Sequence, residues 1–422
     1  MRQKYDVVVV GGGFSGAAAA VAAARENASV LLVEQYGFLG GAAGNSQVNP
    51  FMPYRRFCEE TGGQEEVNRG LFLEILCRLD EIGGLHENRK TFNEEMLKIV
   101  LDRLMVEYGV DVLFHTRLTG VKTEQGRIVE ITVVNKSGMQ SFAADYFIDA
   151  TGDADLAALA GCPYHLGREE DQLCQPMTLC FRVGNVDLQK FNIEANRDEV
   201  SALYRKLQKE GKIKNPREDV LMFDHVCNGV IHFNSTRIVK RNPVDAVDVS
   251  IAEMQAREQM LELYTFMKEN VPGFENSTLL MSAPQIGVRE SRMIDGEYVI
   301  TADDLLSCKK FDDAIACGVY GVDIHSPDGS GTVRKHIPRG EYYTIPYRAL
   351  IPKNRNNLLV AGRCISSTHE AQSAYRVMPI VCCIGEAAGI AAGLAARKHI
   401  RPAEVPVKEL QEKIGAYGGM YR

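Results

Sequence analysis

Four consecutive valines, Val7 to Val10, run straight into Gly11-Gly12-Gly13 and then into Phe14-Ser15-Gly16 and four alanines. No other stretch limits the fold so strongly. Tyr5 to Val10 is rich in β-branched residues, the pattern of a parallel strand buried on both faces. The residues from about Phe14 to Glu26 are mostly alanine and read as a helix. A second β-rich run, Ala28 to Val33, ends in Glu34. The spacing therefore predicts a strand–turn–helix–strand unit of about thirty residues built around G-x-G-x-x-G. The first glycine, Gly11, permits the tight turn, Gly13 lets backbone approach a pyrophosphate, and Gly16 lets the helix sit close to the strand. Phe14 and Ser15 open the helix, whose free N–H groups and positive dipole end favour phosphate. Glu34 ends the second strand, where its carboxylate can accept the hydroxyls of an adenosine ribose. The same carboxylate would repel a 2′-phosphate, which disfavours NADP and leaves NAD and FAD open.

A second glycine cluster follows directly: Gln35-Tyr36-Gly37-Phe38-Leu39-Gly40-Gly41-Ala42. Backbone is brought close to a ligand a second time, as a long flavin dinucleotide requires and a nicotinamide dinucleotide does not. With E-x-x-G-F-L-G-G behind G-G-G-x-x-G, the chain resembles the FAD-dependent oxidoreductases of glutathione-reductase-like fold, in the branch near the fumarate reductase flavoproteins. Three further segments resemble that family. They are Ala150-Thr151-Gly152-Asp153-Ala154-Asp155, Gly287-Val288-Arg289-Glu290-Ser291-Arg292, and Gly362-Arg363 followed by Arg376-Val377-Met378-Pro379.

The resemblance implies FAD as cofactor, with Ala150, Thr151, Gly152 and Asp155 beside it. It also implies Gly362, Arg363, Met378 and Pro379 at the flavin, with a helix starting near Pro379 aimed at the pyrimidine edge. Arg289 and Arg292 are catalytic candidates that could bind a substrate carboxylate or polarise a carbonyl, or else form an Arg–Glu pair between domains. His369 falls inside the C-terminal motif and is a candidate near the flavin ring. Glu386 stands where the family leads one to expect Gln. A carboxylate there would lower the flavin potential if it pointed at the ring.

The expected fold class is α/β: a Rossmann-like FAD-binding domain with a β-meander and an inserted α+β substrate domain. The expected boundaries are 1–164 and 341–422 for the FAD domain and 165–340 for the substrate or cap domain. Helices are expected over 67–82 and 91–108, a three-stranded meander over 110–142 with a Gln125-Gly126 turn, and a return strand at 146–150. Ile231 to Arg237 alternates like a strand, which would put His232, Asn234 and Thr236 on one face, either lining the pocket or satisfied at a sheet edge. His325 lies in a Gly/Ser/Pro/Asp-rich stretch and reads as a mobile active-site residue or a solvated loop histidine.

Composition excludes more than it selects. A net charge of −7, with no long basic run, argues against nucleic acid as a partner. Ile380 to Ala396 is apolar but short for a bilayer and interrupted by Glu386 and glycines, so a buried helix is expected and no membrane span. Eleven cysteines show no C-x-x-C pair, so no metal or cluster site is expected, and free thiols fit a cytoplasmic location. The absence of C-x-x-C and of a second dinucleotide cradle also argues against a disulfide reductase. The expected activity is hydride transfer between flavin N5 and a small organic molecule. The alternative is a flavoprotein subunit passing electrons to a separate iron–sulfur or cytochrome partner. A homo-oligomer is compatible with either.

Overall fold

A computed structural model describes residues 2, 4–329 and 331–422. Strand β1 (Lys4–Val10), helix α1 (Phe14–Arg25) and strand β2 (Val30–Val33) form the expected unit, with β1 and β2 parallel. The valines of β1 have no polar face to show, so β1 sits inside the sheet. It lies between β2 and the strand Gly138–Asp149, and the strand Asp111–Leu113 extends the sheet beyond β2.

Gly138–Asp149 organises this seven-stranded sheet. Its first half pairs antiparallel with Arg127–Asn135, itself in a hairpin with Arg117–Glu124. Its second half pairs parallel with β1 on one side and with Leu358–Val360 on the other. The last strand of the expected meander and the expected return strand are thus one continuous strand, because nothing between Phe142 and Tyr146 turns the chain. The expected turn at Gln125-Gly126 is present, both residues having positive φ. Asp111–Leu113 joins the parallel sheet instead of the meander.

The chain forms a second, four-stranded antiparallel sheet between residues 181 and 282, ordered Met222–Asp224, Ile231–Phe233, Phe181–Gly184, Thr278–Ser282. The helices Ile193–Lys209 and Ala246–Asn270 cover it, sharing a core that includes Phe181, Phe233, Tyr204 and Phe266. The architecture is therefore a Rossmann-like parallel sheet with a second α+β layer. The strand at Ile231 ends at Phe233, shorter than its alternation suggested. Thr236 leaves the sheet to exchange hydrogen bonds with the backbone of Leu179.

The helix Met378–Lys398 is long and apolar enough to cross a membrane, yet its whole apolar window is buried inside the fold. It crosses α1 at backbone contact. A Cβ on Gly385 would lie 2.0 Å from the Ser15 carbonyl, and one on Gly389 2.1 Å from that of Ala19. Glycines four residues apart share one helix face, which explains the Ala/Gly composition of both helices. Glu386 turns away from this contact. Its Oε2 accepts the Leu71 N–H at 3.1 Å, capping the helix Leu71–Glu81, and its Oε1 lies 3.6 Å from Arg25. The carboxylate is therefore not aimed at the site described next, and the effect on flavin potential expected of it has no basis. Burial raises its pKa to about 7, against the opposing pull of the Leu71 N–H and Arg25.

Candidate functional site

A cavity of about 530 Å³ runs along the C-terminal edge of the parallel sheet. One end is built by the turn between β1 and α1. Gly11 has φ +97°, a left-handed conformation that a side chain resists. Gly16 does not line the cavity. A Cβ there would stand 1.7 Å from the Gly11 carbonyl, so this glycine serves helix–strand packing. Gly13 does line it, and a Cβ there would meet only Gly41 Cα at 3.7 Å. Ser15 Oγ is buried with no hydrogen-bond partner among the described residues. The two glycine clusters touch: Gly13 bridges Gly40, and the Gly40 N–H donates to Gly12 O at 2.9 Å.

Glu34 closes this end. It is buried, accepts the Gly12 N–H at 2.5 Å and the Tyr36 N–H at 2.8 Å, and lines the cavity. Burial raises its pKa although both N–H groups oppose the shift. Each carboxylate oxygen has two lone pairs, so acceptor capacity remains for a ribose. Phe14, Ser15, Gln35, Gly40, Gly41, Ala42, Ala150, Thr151, Gly152 and Asp155 also line the cavity, and so do Gly362, Arg363 and Met378. Pro379 does not; it occupies the first turn of the helix Met378–Lys398, whose N-cap Val377 supplies no side-chain cap. The helix N-terminus therefore opens on the cavity with its donors unshared by side chains. A glycine-lined turn, an uncapped helix start, an orphan hydroxyl and a buried acid fit a dinucleotide with a pyrophosphate and a ribose.

The four catalytic candidates are not brought together. Arg292 lines the cavity but is tied by Nη1 to Asp155 Oδ1 at 2.8 Å and to the Asp153 carbonyl at 3.0 Å. Arg363 pairs with Asp153 at 2.6 Å on the same wall. His369 does not line the cavity. Its Nδ1 bonds Glu290 Oε1 at 2.7 Å, and the other Glu290 oxygen accepts the Gln175 N–H. Burial lowers the His369 pKa, but the Glu290 bond and charge outweigh it and the net shift is upward. His232 is 1% exposed, away from the cavity, and neither ring nitrogen has a partner among the described residues. Burial, then the charge of Arg182, pushes it down to about 3, so it is neutral at any physiological pH.

Arg289 behaves differently. It does not itself line the cavity, although four of its neighbours in the run Gln285–Arg292 do, and it is only partly buried. Its Nη1 donates to the Pro176 carbonyl at 2.6 Å and to Thr178 Oγ1. Burial, then the charges of Arg376 and Arg217, lowers its pKa to about 9. His325 is neither in a loop nor solvated. It ends the strand Val322–His325 and is 6% exposed. Arg237 Nη2, which can only donate, bonds its Nδ1 at 3.1 Å. The ring proton is therefore on Nε2, facing Asp323 at 3.6 Å.

Sequence reasoning missed several lining residues. Thr116, Arg117 and Leu118 reach the cavity because Glu34 and Thr116 pair backbone to backbone across the sheet edge. Asn45 and Ser46 continue the second glycine cluster and could have been read from it. Arg376 stood in a quoted motif without an assigned role, and it lines the cavity. Arg217, in the charged stretch Lys214–Asp219, is buried outside the cavity lining and carried no signal at all.

Residues 6–414 match the model of a family described as FAD dependent oxidoreductase. Among solved structures, a geranylgeranyl bacteriochlorophyll reductase-like protein from Thermoplasma acidophilum is 13% identical with a TM-score of 0.50. That match covers 98% of this chain and 84% of that one, and it supports the fold. The p-nitrophenol 4-monooxygenase PnpA from Pseudomonas putida is 11% identical, with a TM-score of 0.46 over 99% of this chain and 84% of that one. No curated protein matches the sequence significantly.

Proposed function

We propose that this chain, which belongs to the FAD-dependent oxidoreductase family, oxidises or reduces a small organic molecule by hydride transfer. FAD is its cofactor. When bound, it supplies two-electron exchange at the N5 position of the ring. The observation that carries the reading is a single cavity joining three features: the glycine turn at α1, the acid Glu34, and the uncapped N-terminus of the helix Met378–Lys398.

Gly11 and Gly13 would let the pyrophosphate approach, the Gly11 N–H being given to the Val33 carbonyl at 2.8 Å, and the N–H groups of the first turn of α1 with the free Ser15 hydroxyl would hold it, the α1 dipole favouring its charge. Glu34 would accept from the ribose. Gly362, Arg363 and the helix start at Met378 would meet the flavin end, where a helix N-terminus stabilises negative charge. Residues 165–340 would supply the substrate side, with Arg289 as the group that orients or polarises substrate. The narrower resemblance to the fumarate reductase branch rests on the motif segments alone. Of the two arginines it offered for a carboxylate, Arg292 is engaged by Asp155 and Asp153, and Arg289 remains.

The test is an absorption spectrum of the purified protein, before and after acid precipitation. A flavin spectrum supports the reading, and its release to the supernatant identifies noncovalent FAD, whereas colour retained in the pellet identifies a covalent link. A protein that is colourless and stays so after added FAD overturns the proposal. Bleaching of the flavin by candidate donors then ranks substrates.

A further inference from the structure

Three arginines from distant parts of the chain gather on one short segment, Asn234-Ser235-Thr236-Arg237. Arg289 reaches Asn234 Oδ1 through Nη2 at 3.4 Å. Arg217 is anchored through Asn215, whose Oδ1 accepts the Arg217 N–H at 3.1 Å and whose Nδ2 donates to the Ser235 carbonyl at 3.0 Å. Arg237 belongs to the segment itself. A fourth, Arg376, joins through two glutamines. Its Nη2 donates to Gln175, Gln175 donates to Gln372 at 3.1 Å, and Gln372 donates to the Arg289 carbonyl at 2.8 Å. Arg376 lines the cavity, so the cluster adjoins it.

The four guanidiniums are not equally served. Arg237 is filled. Glu218 lies 2.9 Å from its Nη1, while His325 and Thr332 each accept from its Nη2 at 3.1 Å. Arg217 is 1% exposed and uses only Nε, on Asp219 Oδ1 at 2.8 Å. Its Nη1 and Nη2 have no partner among the described residues, and neither has Nε of Arg376. A guanidinium withdrawn from water is ordinarily paired. A planar pair of free N–H-bearing nitrogens is the shape that grips two oxygens of one oxyanion. The like charges also act on one another: after burial, Arg217 is the next cause lowering the Arg237 pKa, as Arg376 is for Arg289. An anion among them relieves that repulsion.

We infer that Arg217, Arg289 and Arg376 hold an oxyanion of the substrate, a carboxylate or a phosphate, beside the cavity's Arg376 wall. The enzyme thus acts on a small organic acid or phosphate ester. Arg237, locked by Glu218 and His325, is a positioning residue that keeps the segment in register. The inference rests on reading the cavity as the flavin and substrate site.

The experiment uses the purified holoprotein and two probes, acetate and inorganic phosphate, titrated against chloride at constant ionic strength. Two readouts run together: the thermal midpoint and the visible flavin band. The expected result is a saturable rise of the midpoint with at least one probe, and which probe does so separates carboxylate from phosphate. Arg217→Met keeps the side-chain volume and removes the buried charge. It is expected to fold, since it breaks a single pair with Asp219, which keeps access to water once the partner is gone. Its probe affinity should fall about tenfold or more. Arg217→Lys, which retains charge without the fork, should bind at an intermediate level. A purely structural Arg217 leaves the probe affinity of Arg217→Met unchanged, whatever the midpoint does, and overturns the inference. So does the absence of any saturable shift above chloride in the wild-type protein. The midpoint titration needs no flavin signal. Anion binding by a colourless protein would sink the flavin reading alone, and flavin without anion binding would sink this one alone.

Discussion

The cradle around α1 and the arginine cluster around Asn234–Arg237 bind by opposite means. In the cradle the ligand-facing groups are backbone, brought together by residues close in sequence, and the turns' own N–H groups are bonded internally while the first turn of α1 is left for the ligand. Gly12 donates to Glu34, Gly40 donates to Gly12, and α1 begins where the chain has no side chain in the way. In the cluster the groups are side chains from residues 217, 237, 289 and 376, and two nitrogens of Arg217 remain unmatched. Backbone recognition serves a cofactor that does not change. Recognition by dispersed side chains can be retuned without rebuilding the fold, as a substrate site requires.

The sharpest way to break this contrast is within the cradle itself, because its glycines have two different duties. Gly16→Ala should abolish accumulation of folded protein, since the added carbon falls 1.7 Å from the Gly11 carbonyl and only backbone can yield. Soluble expression and circular dichroism measure this, and a folded, flavin-bearing variant would show that the turn is less rigid than drawn. Gly13→Val should fold but lose flavin, because its added bulk faces the cavity. The flavin-to-protein ratio should drop from near one to near zero with the far-ultraviolet spectrum unchanged.

The next largest effect falls on the side-chain region. Arg289→Lys should leave the flavin spectrum normal and lower turnover roughly tenfold or more, because an ammonium cannot reproduce two parallel donors. Undiminished turnover would return Arg289 to a purely structural role and erase the contrast between the two regions.

The smallest effect concerns Glu386, which belongs to neither. Its pKa in the folded protein is about 7, above the value of about 4.3 for an unperturbed glutamate. Its stabilising influence is therefore full below about pH 4 and is lost as pH rises through 7, by on the order of 3 kcal/mol. Glu386→Gln keeps an acceptor for the Leu71 N–H and removes the titration. The melting difference between variant and wild type should grow by a few degrees in favour of the variant from pH 5 to pH 8. A difference independent of pH would mean that Arg25 keeps the carboxylate ionised throughout.

How much of this was legible differs by element. β1, α1 and β2 appear within two residues of where the pattern puts them, because burial on both faces and an alanine-rich helix leave no competing arrangement. The helix Met378–Lys398 was likewise recognisable as buried. The Asn234 and Thr236 side chains were not, since the alternation from Ile231 suggested one longer strand, pocket-lining or at a sheet edge, where the structure gives three strand residues and a turn away. His325 looked like a loop residue because Gly, Ser, Pro and Asp follow it. Those residues make the turn of a hairpin, and the histidine itself ends a strand.

The sequence by itself determined the dinucleotide cradle, since each of its requirements is local: a tight turn, a close approach, a helix start and an acid at a strand end. Only the tertiary structure decided which charged side chains face one another. Arg292 was withdrawn by Asp155, His369 by Glu290, and Glu386 by Leu71, while Arg217 was left with two free donors. Charge pairing depends on distances between residues far apart in the chain. No local pattern of polarity or spacing carries that information.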